Sequence, residues 1–403
     1  MKAGSETRCA TRSLLVLCDV VGAVGGTESV LARVLPELER RGVAVTLRAR
    51  RVGDAQAYGV VAEEIAWGGD EEPPNAAAAN RVAHTIEALR PDAVLLSNVF
   101  DPKVVLAARA APRAIAHLHD HRAFCPHGDR VYPQFRALCS RPMGTACLVN
   151  SVLHGCVEGP RPGTLRRLRA REVLRDALRQ LDGIDVGSQF MAGLCARNGI
   201  APERVTVLAP PVDPRALATP PAPMPAERRL LFAGRLVRDK GLDSLLHALA
   251  RIPEALRPAL DVAGEPTPES GEAVARAPAL GVRLTMLGRQ DRGAFMATLD
   301  DARAVAVPSL WPEPFGMMGI EAYARGRPVA AYAVGGIPEW IGDAGIAVPR
   351  GDEAALARAI VEVLDDERWK QFAAAARRQA ERYTPQRYVD LLMRVLFPSL
   401  HQP

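Results

Sequence analysis

Two glutamates, Glu313 and Glu321, bracket the stretch of this sequence best suited to chemistry, Trp311-Pro-Glu-Pro-Phe-Gly-Met-Met-Gly-Ile-Glu321. The apolar run Ala304 to Val307 before it reads as a buried strand ending at Pro308-Ser309. Two prolines and a glycine then force an irregular loop. From about Met317 the pattern turns helical through Ile320, Glu321, Ala322 and Tyr323. Glu313 therefore sits on a loop, Glu321 about one turn into a helix, and between them lie the free amides of a helix N-terminus, which attract phosphate. Such an arrangement suits a ligand with a diphosphate at its middle and hydroxyl-bearing rings at both ends, as in a nucleotide sugar. On its own, a glutamate pair at this spacing could equally be two solvated side chains. A second stretch, Phe232-Ala-Gly-Arg-Leu-Val-Arg-Asp-Lys-Gly-Leu242, reads as a strand followed by a loop carrying Gly234, Arg235 and Lys240.

The elements around these loops alternate. Ser13–Leu17, Val43–Leu47, Ala93–Leu96 and Ala114–His117 read as strands, with helices over Glu28–Arg41, Ala76–Leu89 and Lys103–Ala110. A proline-rich segment from Pro210-Pro211 to Pro225 reads as a surface linker. A second series follows, with strands at Leu230–Ala233, Leu260–Ala263, Arg283–Leu287, Ala304–Val307 and Val329–Tyr332. Alternation of this kind predicts parallel sheets covered by helices on both faces. A chain of 403 residues is too long for one ordinary core.

The Glu–seven residues–Glu spacing, followed by Ala-Tyr-Ala-Arg-Gly-Arg-Pro-Val and then by Gly335-Gly336-Ile337-Pro338-Glu339, resembles the retaining glycosyltransferases of the GT-B class called family 4. The resemblance implies two Rossmann-like, doubly wound parallel-sheet domains facing a cleft. The expected parts are an acceptor-binding domain over 1–210, a linker over 211–228 and a nucleotide-sugar-binding domain over 229–384, with a last helix in 385–403 crossing back to the first domain. The implied activity is transfer of a sugar, with retention, from a UDP- or GDP-linked donor to a hydroxyl acceptor. The resemblance places Arg235 and Lys240 on the donor diphosphate. A guanidinium can hold phosphate oxygens in a fork and an ammonium adds a point charge. It assigns Glu313 to hydroxyls of the transferred sugar and Glu321 to the ribose, with the amides of Phe315, Gly316, Met317 and Met318 lining sugar and phosphates. Val282–Gly288 resembles the segment that meets the nucleobase.

In the first half, Gly25-Gly26-Thr27-Glu28 lies between the first strand and helix, where the family has a glycine pair facing donor phosphates and acceptor. It serves as a tight turn in either case. Gly22, Gly25 and Gly26 do not match the G-x-G-x-x-G of a dinucleotide site, which argues against a nicotinamide oxidoreductase. Ala116-His-Leu-His-Asp-His-Arg-Ala-Phe-Cys-Pro126 resembles the family's His-Asp segment. By that match His119 and Asp120 face the cleft, His119 at the sugar and reaction centre. His121 stands where an aromatic residue is commoner, and His117 reads as a strand-end residue. The set Glu313, Asp120 and His119 would carry catalysis. An epimerase acting on free nucleotide sugars and a noncatalytic nucleotide-sugar-binding protein are the rival readings.

Cys125, Cys139, Cys147 and Cys156 gather with His127 and His154 nearby. Four thiolates can close a tetrahedral structural zinc site, but the intervening lengths lack the close C-x-x-C pairs of common zinc modules, and packed thiols are the alternative. Otherwise no cofactor is expected. No Asp-x-Asp follows an apolar strand, so metal-dependent transfer in the GT-A manner is disfavoured. Arg161 to Gln180 carries seven arginines among Leu165, Leu168, Leu174 and Leu178. It reads as a basic amphipathic helix, either packed on one face or meeting an anionic acceptor or the surface of a membrane. The net charge of +5 is too mild to argue for nucleic acid. Seven cysteines and no secretory leader point to a reducing, cytoplasmic setting, at most against the inner face of a membrane.

Overall fold

The computed structural model describes residues 12–22, 25–69, 74–132, 137–156 and 161–398. The chain forms two units. One comprises the residues up to Gly187, Ala192–Leu208 and the chain from Pro385 on; the other comprises Ser188–Met191 and Ala209–Thr384.

The first unit holds seven parallel strands: β1 (Arg12–Val21), β2 (Val43–Val52), β3 (Ala62–Glu64), β4 (Ala93–Ser97), β5 (Ala114–Leu118), a later β8 (Gly183–Val186) and β9 (Val205–Val207). A short antiparallel pair, β6 (Val131–Tyr132) and β7 (Ala137–Leu138), stands apart from them. The sheet order is β3-β2-β1-β4-β5-β8-β9. Every residue of β4, β5 and β8 is buried, as happens where helices cover both faces of a parallel sheet. One row breaks the apolar pattern. Cys18, Ser97, His117, Asp185 and Thr206 are successive register partners across five strands, so their side chains share one face near the carboxyl ends.

The helix Pro385–Leu396 completes this unit. It buries Tyr388, Val389, Leu392 and Leu396 and exposes the opposite side, which is the stripe a surface helix needs. It packs on the helix Gly26–Arg40. Arg41 pairs with its Asp390, and the Arg113 guanidinium donates to its Val395 carbonyl.

The second unit holds β10 (Arg229–Ala233), β11 (Ala259–Ala263), β12 (Leu284–Gly288), β13 (Ala304–Val307), β14 (Val329–Tyr332) and β15 (Gly345–Val348), all parallel, in the order β12-β11-β10-β13-β14-β15. Alternate residues of β10 feed opposite cores. Leu230 and Phe232 join Leu245, Leu249, Ile360 and Val363, while Leu231 joins Val305, Ile320, Tyr323 and Trp340.

The proline-rich segment expected as a surface linker is packed on this unit. Val212 and Ala216 are buried, and Pro214–Ala218 is a short helix started by the Asp213 side chain. Arg325 donates to the carbonyls of Ala216 and Thr219 at 3.2 and 3.1 Å, and the fully buried Arg327 donates to that of Pro223 at 3.3 Å. Prolines leave carbonyls without ladder partners, and these guanidinium groups satisfy them.

Candidate functional site

In the second unit two loops at the carboxyl ends of adjacent strands are locked together. Gly241, at φ +79°, closes the β10 loop; a Cβ there would lie 2.0 Å from the Pro308 carbonyl oxygen. The amide of Leu310 donates to the Asp239 carbonyl at 2.7 Å. This contact brings Lys240 to Glu313: Nζ lies 2.6 Å from Oε1. The Ser309 hydroxyl donates to the same oxygen, and Trp311 also favours the ionised carboxylate. Lys240 also lies 5.3 Å from the centre of the Trp311 ring.

Glu313 is only 6% exposed. Burial alone would raise its carboxyl, but the charge and hydrogen bond of Lys240, helped by Ser309 and Trp311, outweigh it and hold the group below the usual carboxylate range. The result is a buried, ionised carboxylate with its countercharge in place.

A third segment fixes the loop from behind. The amide of Gly336 donates to the Glu313 carbonyl at 2.8 Å, and Trp340 Nε1 donates to that of Phe315 at 2.6 Å. Gly335, at φ +60°, presses so close that a Cβ would sit 2.1 Å from the Glu313 carbonyl oxygen. Gly316 adopts φ +91° and begins the helix Met317–Ala324 without a side-chain cap, so the first amides of that helix are not taken by a capping side chain. Phe315 is buried, and Met317, Met318 and Glu321 are half-buried. Arg235 is exposed on the neighbouring loop and pairs with no carboxylate among the described residues. Lys240, Glu313 and the amides of 315–318 thus belong to one assembly, while Arg235 flanks it. Ser309 and Trp340, which help to hold this loop, are not among the site residues to which the sequence points.

In the first unit, His119 and Asp120 follow β5. The backbone amide of His119 donates to Asn98 Oδ1 at 3.0 Å, and its ring Nε2 lies 3.0 Å from the Ser97 hydroxyl. Asn98 takes φ +53°, a conformation that asparagine tolerates better than most residues. Asp120 is held by Arg122, with Nε and Nη2 at 2.9 and 2.7 Å, and by Asn98 Nδ2 at 3.2 Å. His119 is half-buried, and burial, then the Arg122 charge, push its imidazole down to about 3. It is neutral at physiological pH. Its ring stacks on that of His117 with centroids 4.0 Å apart. His121 is fully buried, away from any surface role.

Gly25 and Gly26 are exposed at the start of the helix Gly26–Arg40. Gly25 is in extended backbone, φ −172°, so no strain demands a glycine; a Cβ there would lie 3.1 Å from Glu28 Oε2, and the small residue leaves that carboxylate its place. Glu28 faces the same end, its carboxyl raised by burial and by Asp19 and Asp120 against the pull of its own backbone hydrogen bond and Arg122.

Cys125, Cys139, Cys147 and Cys156 are half-buried and not in disulfides. They share one neighbourhood: after burial, Cys125, Cys147 and Cys139 all raise the Cys156 thiol, to about 11. Among the described residues, no group of three or more His, Cys, Asp or Glu is arranged to hold a metal ion. In the helix Arg161–Leu178, Leu168, Arg171, Leu174 and Leu178 are buried while Arg166, Arg169 and Val173 are exposed. No helix among the described residues is long and apolar enough to cross a membrane.

The two units match two consecutive family models. Residues 24–216 match Glycosyltransferase Family 4, and residues 222–383 match Glycosyl transferases group 1. The chain belongs to the GT-B glycosyltransferases. A D-inositol 3-phosphate glycosyltransferase of Mycolicibacterium smegmatis is 31% identical over 256 residues, 59% of this chain and 56% of that protein. A glycogen synthase of Mycobacterium tuberculosis is 36% identical over 160 residues, 38% of each chain. The matches therefore span about half or less of these relatives' length. The crystal structure of Anabaena HepE in complex with UDP and glucose superposes with a TM-score of 0.70 at 18% identity, covering 95% of this chain and 99% of that one, which shows the shared fold.

Proposed function

We propose that this GT-B chain is a retaining glycosyltransferase that moves a sugar from a UDP- or GDP-linked donor to a hydroxyl acceptor, with the donor held by the second unit. The observation that carries this reading is the ionised, buried Glu313 locked to Lys240 beside an uncapped helix N-terminus. UDP and glucose in the complex of the Anabaena neighbour support the donor class, and the inositol phosphate acceptor named for the mycobacterial relative supports a polyol or sugar hydroxyl as acceptor.

In this reading Arg235 and Lys240 stabilise the departing diphosphate as the sugar bond breaks, aided by the amides of Phe315, Gly316, Met317 and Met318. Glu321 takes the ribose hydroxyls. Glu313 accepts hydrogen bonds from hydroxyls of the transferred sugar. His119, neutral and fixed by Ser97 and Asn98, offers its imidazole to the sugar, with Asp120 beside it and Gly25 and Gly26 leaving room for phosphate or acceptor. The side chains gathered here offer no evident covalent nucleophile, so departure and attack on the same face account for retention. Exposed arginines and Val173 on the helix Arg161–Leu178 suit an anionic acceptor or a membrane surface.

Donor hydrolysis against a panel of nucleotide sugars, with the glutamate variants, tests the reading. Glu321→Gln should weaken free UDP or GDP. Glu313→Gln should leave free nucleotide binding nearly unchanged and impair transfer. Identical profiles would remove the division of roles, and no turnover of any nucleotide sugar would remove the activity. Zinc on Cys125, Cys139, Cys147 and Cys156 is a separate proposal, supported by the shared neighbourhood of the thiols; it requires them to draw together, and elemental analysis should then find about one zinc per chain.

A further inference from the structure

The row of polar residues across the first sheet contains groups that the reaction as proposed does not use. His117 and Tyr388 are both buried, and the Tyr388 hydroxyl lies 2.9 Å from His117 Nδ1. Tyr388 comes from the helix Pro385–Leu396, far from β5 in sequence. A phenylalanine would fill that buried site without a hydroxyl to satisfy, so the hydroxyl needs a reason. Among the described residues its hydrogen-bond partner is His117.

The chemistry of that contact fixes a tautomer. Burial, then the neighbouring His119, keep His117 well below the ordinary histidine value, so one ring nitrogen carries a proton and the other accepts. With no other acceptor among the described residues, the tyrosine hydroxyl is satisfied only by donating to Nδ1, which places the imidazole proton on Nε2. Nε2 has no hydrogen-bond partner among the described residues. Its register partner on the next strand is Asp185, fully buried, with both carboxyl oxygens also unpartnered. A ring nitrogen and two carboxyl oxygens without hydrogen-bond partners thus occupy register-paired positions on one face of the sheet. The other face of the His117 ring system is occupied by His119, stacked at 4.0 Å and tilted 20°.

We infer that Tyr388 is a positioning residue: its hydroxyl holds the His117 ring in one tautomer and one plane, and the His117 ring, stacked on His119, holds the imidazole that faces the sugar. This rests on the reading of His119 given above. The chain of contacts runs from the last helix through a strand interior to a group at the strand end. It gives His119 a third restraint besides Ser97 and Asn98. The stack also disfavours charging both rings together, since two imidazolium ions at this separation would repel.

The test is a double-mutant cycle in the full chain, with donor hydrolysis and transfer as readouts. Tyr388→Phe keeps the ring and removes the hydroxyl. It should lower kcat roughly ten- to hundredfold with donor KM nearly unchanged, as expected for a misplaced reacting group. In a His119→Gln background the same substitution should have almost no further effect. Nitrogen-15 shifts of the His117 ring should show Nε2 protonated in the parent and a mixture in Tyr388→Phe. If Tyr388→Phe melts below the assay temperature, His117→Gln, which keeps a partner for the hydroxyl but removes the stacked ring, carries the same prediction. A lowered melting temperature with unchanged kcat, or equal losses with and without His119, overturns the inference. A His119→Gln enzyme with the parent's kcat would instead overturn the reading on which it rests.

Discussion

At the ends of the central strands the two units bury polar groups in opposite ways. In the second unit Glu313 is charged, and Lys240, Ser309 and Trp311 answer it at once. In the first, His117 and Asp185 are neutral at pH 7, the Asp185 carboxyl pushed up to about 8 by burial against the pull of Arg113, and three of their atoms have no hydrogen-bond partner. A paired ion in low dielectric is ready to work on charge, and a charged leaving group is what the second unit is proposed to handle. Neutral rings stacked in a sheet do something else: they set direction.

Four experiments would break or sharpen that contrast. The largest effect should come from Gly335→Ala, because its Cβ would drive into the Glu313 carbonyl in a left-handed conformation. A cost on the order of 3–5 kcal/mol is expected, seen as a fall in melting temperature with loss of nucleotide binding; an unchanged melt would mean that the loop is not locked as described. Next, Lys240→Met should cost on the order of 3 kcal/mol by leaving Glu313 buried without its partner, whereas Glu313→Gln should cost less. Chemical denaturation of both variants checks the order. The sign with pH follows from the depressed carboxyl: the pair stabilises above the ordinary glutamate value and loses that contribution as pH falls through the lower folded value.

Removing an exposed charge should matter less to folding and more to binding. Arg235→Ala should forfeit about 1.5–3 kcal/mol of charge-assisted phosphate contact, or roughly tenfold or more in nucleoside diphosphate affinity, while the melting temperature stays put. Calorimetry showing the parent affinity would remove Arg235 from the donor site. The smallest effect concerns Asp185. Its raised folded value means that stability is fully present below the unfolded carboxyl value and is lost as pH rises through about 8. Between pH 7 and 9 the loss should be on the order of 1 kcal/mol, and Asp185→Asn should abolish it. Urea titrations at the two pH values decide.

Much of this architecture was legible in the sequence. Ala304–Val307 and Val329–Tyr332 are short apolar runs between turn residues, and both are strands with those limits. The strands that escaped notice are instructive. β8 reads Gly-Ile-Asp-Val, and the aspartate interrupts the apolar run; carboxylates are so seldom fully buried that Asp185 argues against the strand it occupies. β15 is half-exposed throughout, so it lacks a buried run. At the site, the glutamates and basic residues stood out, but the pairing of Glu313 with Lys240 and Ser309 did not. Their roles depend on Gly335, Gly336 and Trp340 folding back onto residues 313–315, a contact that periodicity does not report. The proline-rich stretch misled for a related reason: its carbonyls are claimed by Arg325 and Arg327 from another part of the chain.

The return of the last helix to the first unit has a consequence for how the protein is made. The central strands of that unit emerge from the ribosome by residue 186, but Tyr388 and the apolar stripe of its helix arrive about 200 residues later. At ~5–20 residues per second that is roughly 10–40 s during which the nascent sheet lacks one cover and His117 lacks its phenolic partner. The second unit must be synthesised in the meantime. The first unit is therefore begun first and finished last, and a stalled or nicked chain ending before residue 385 would display an open apolar flank to chaperones and proteases.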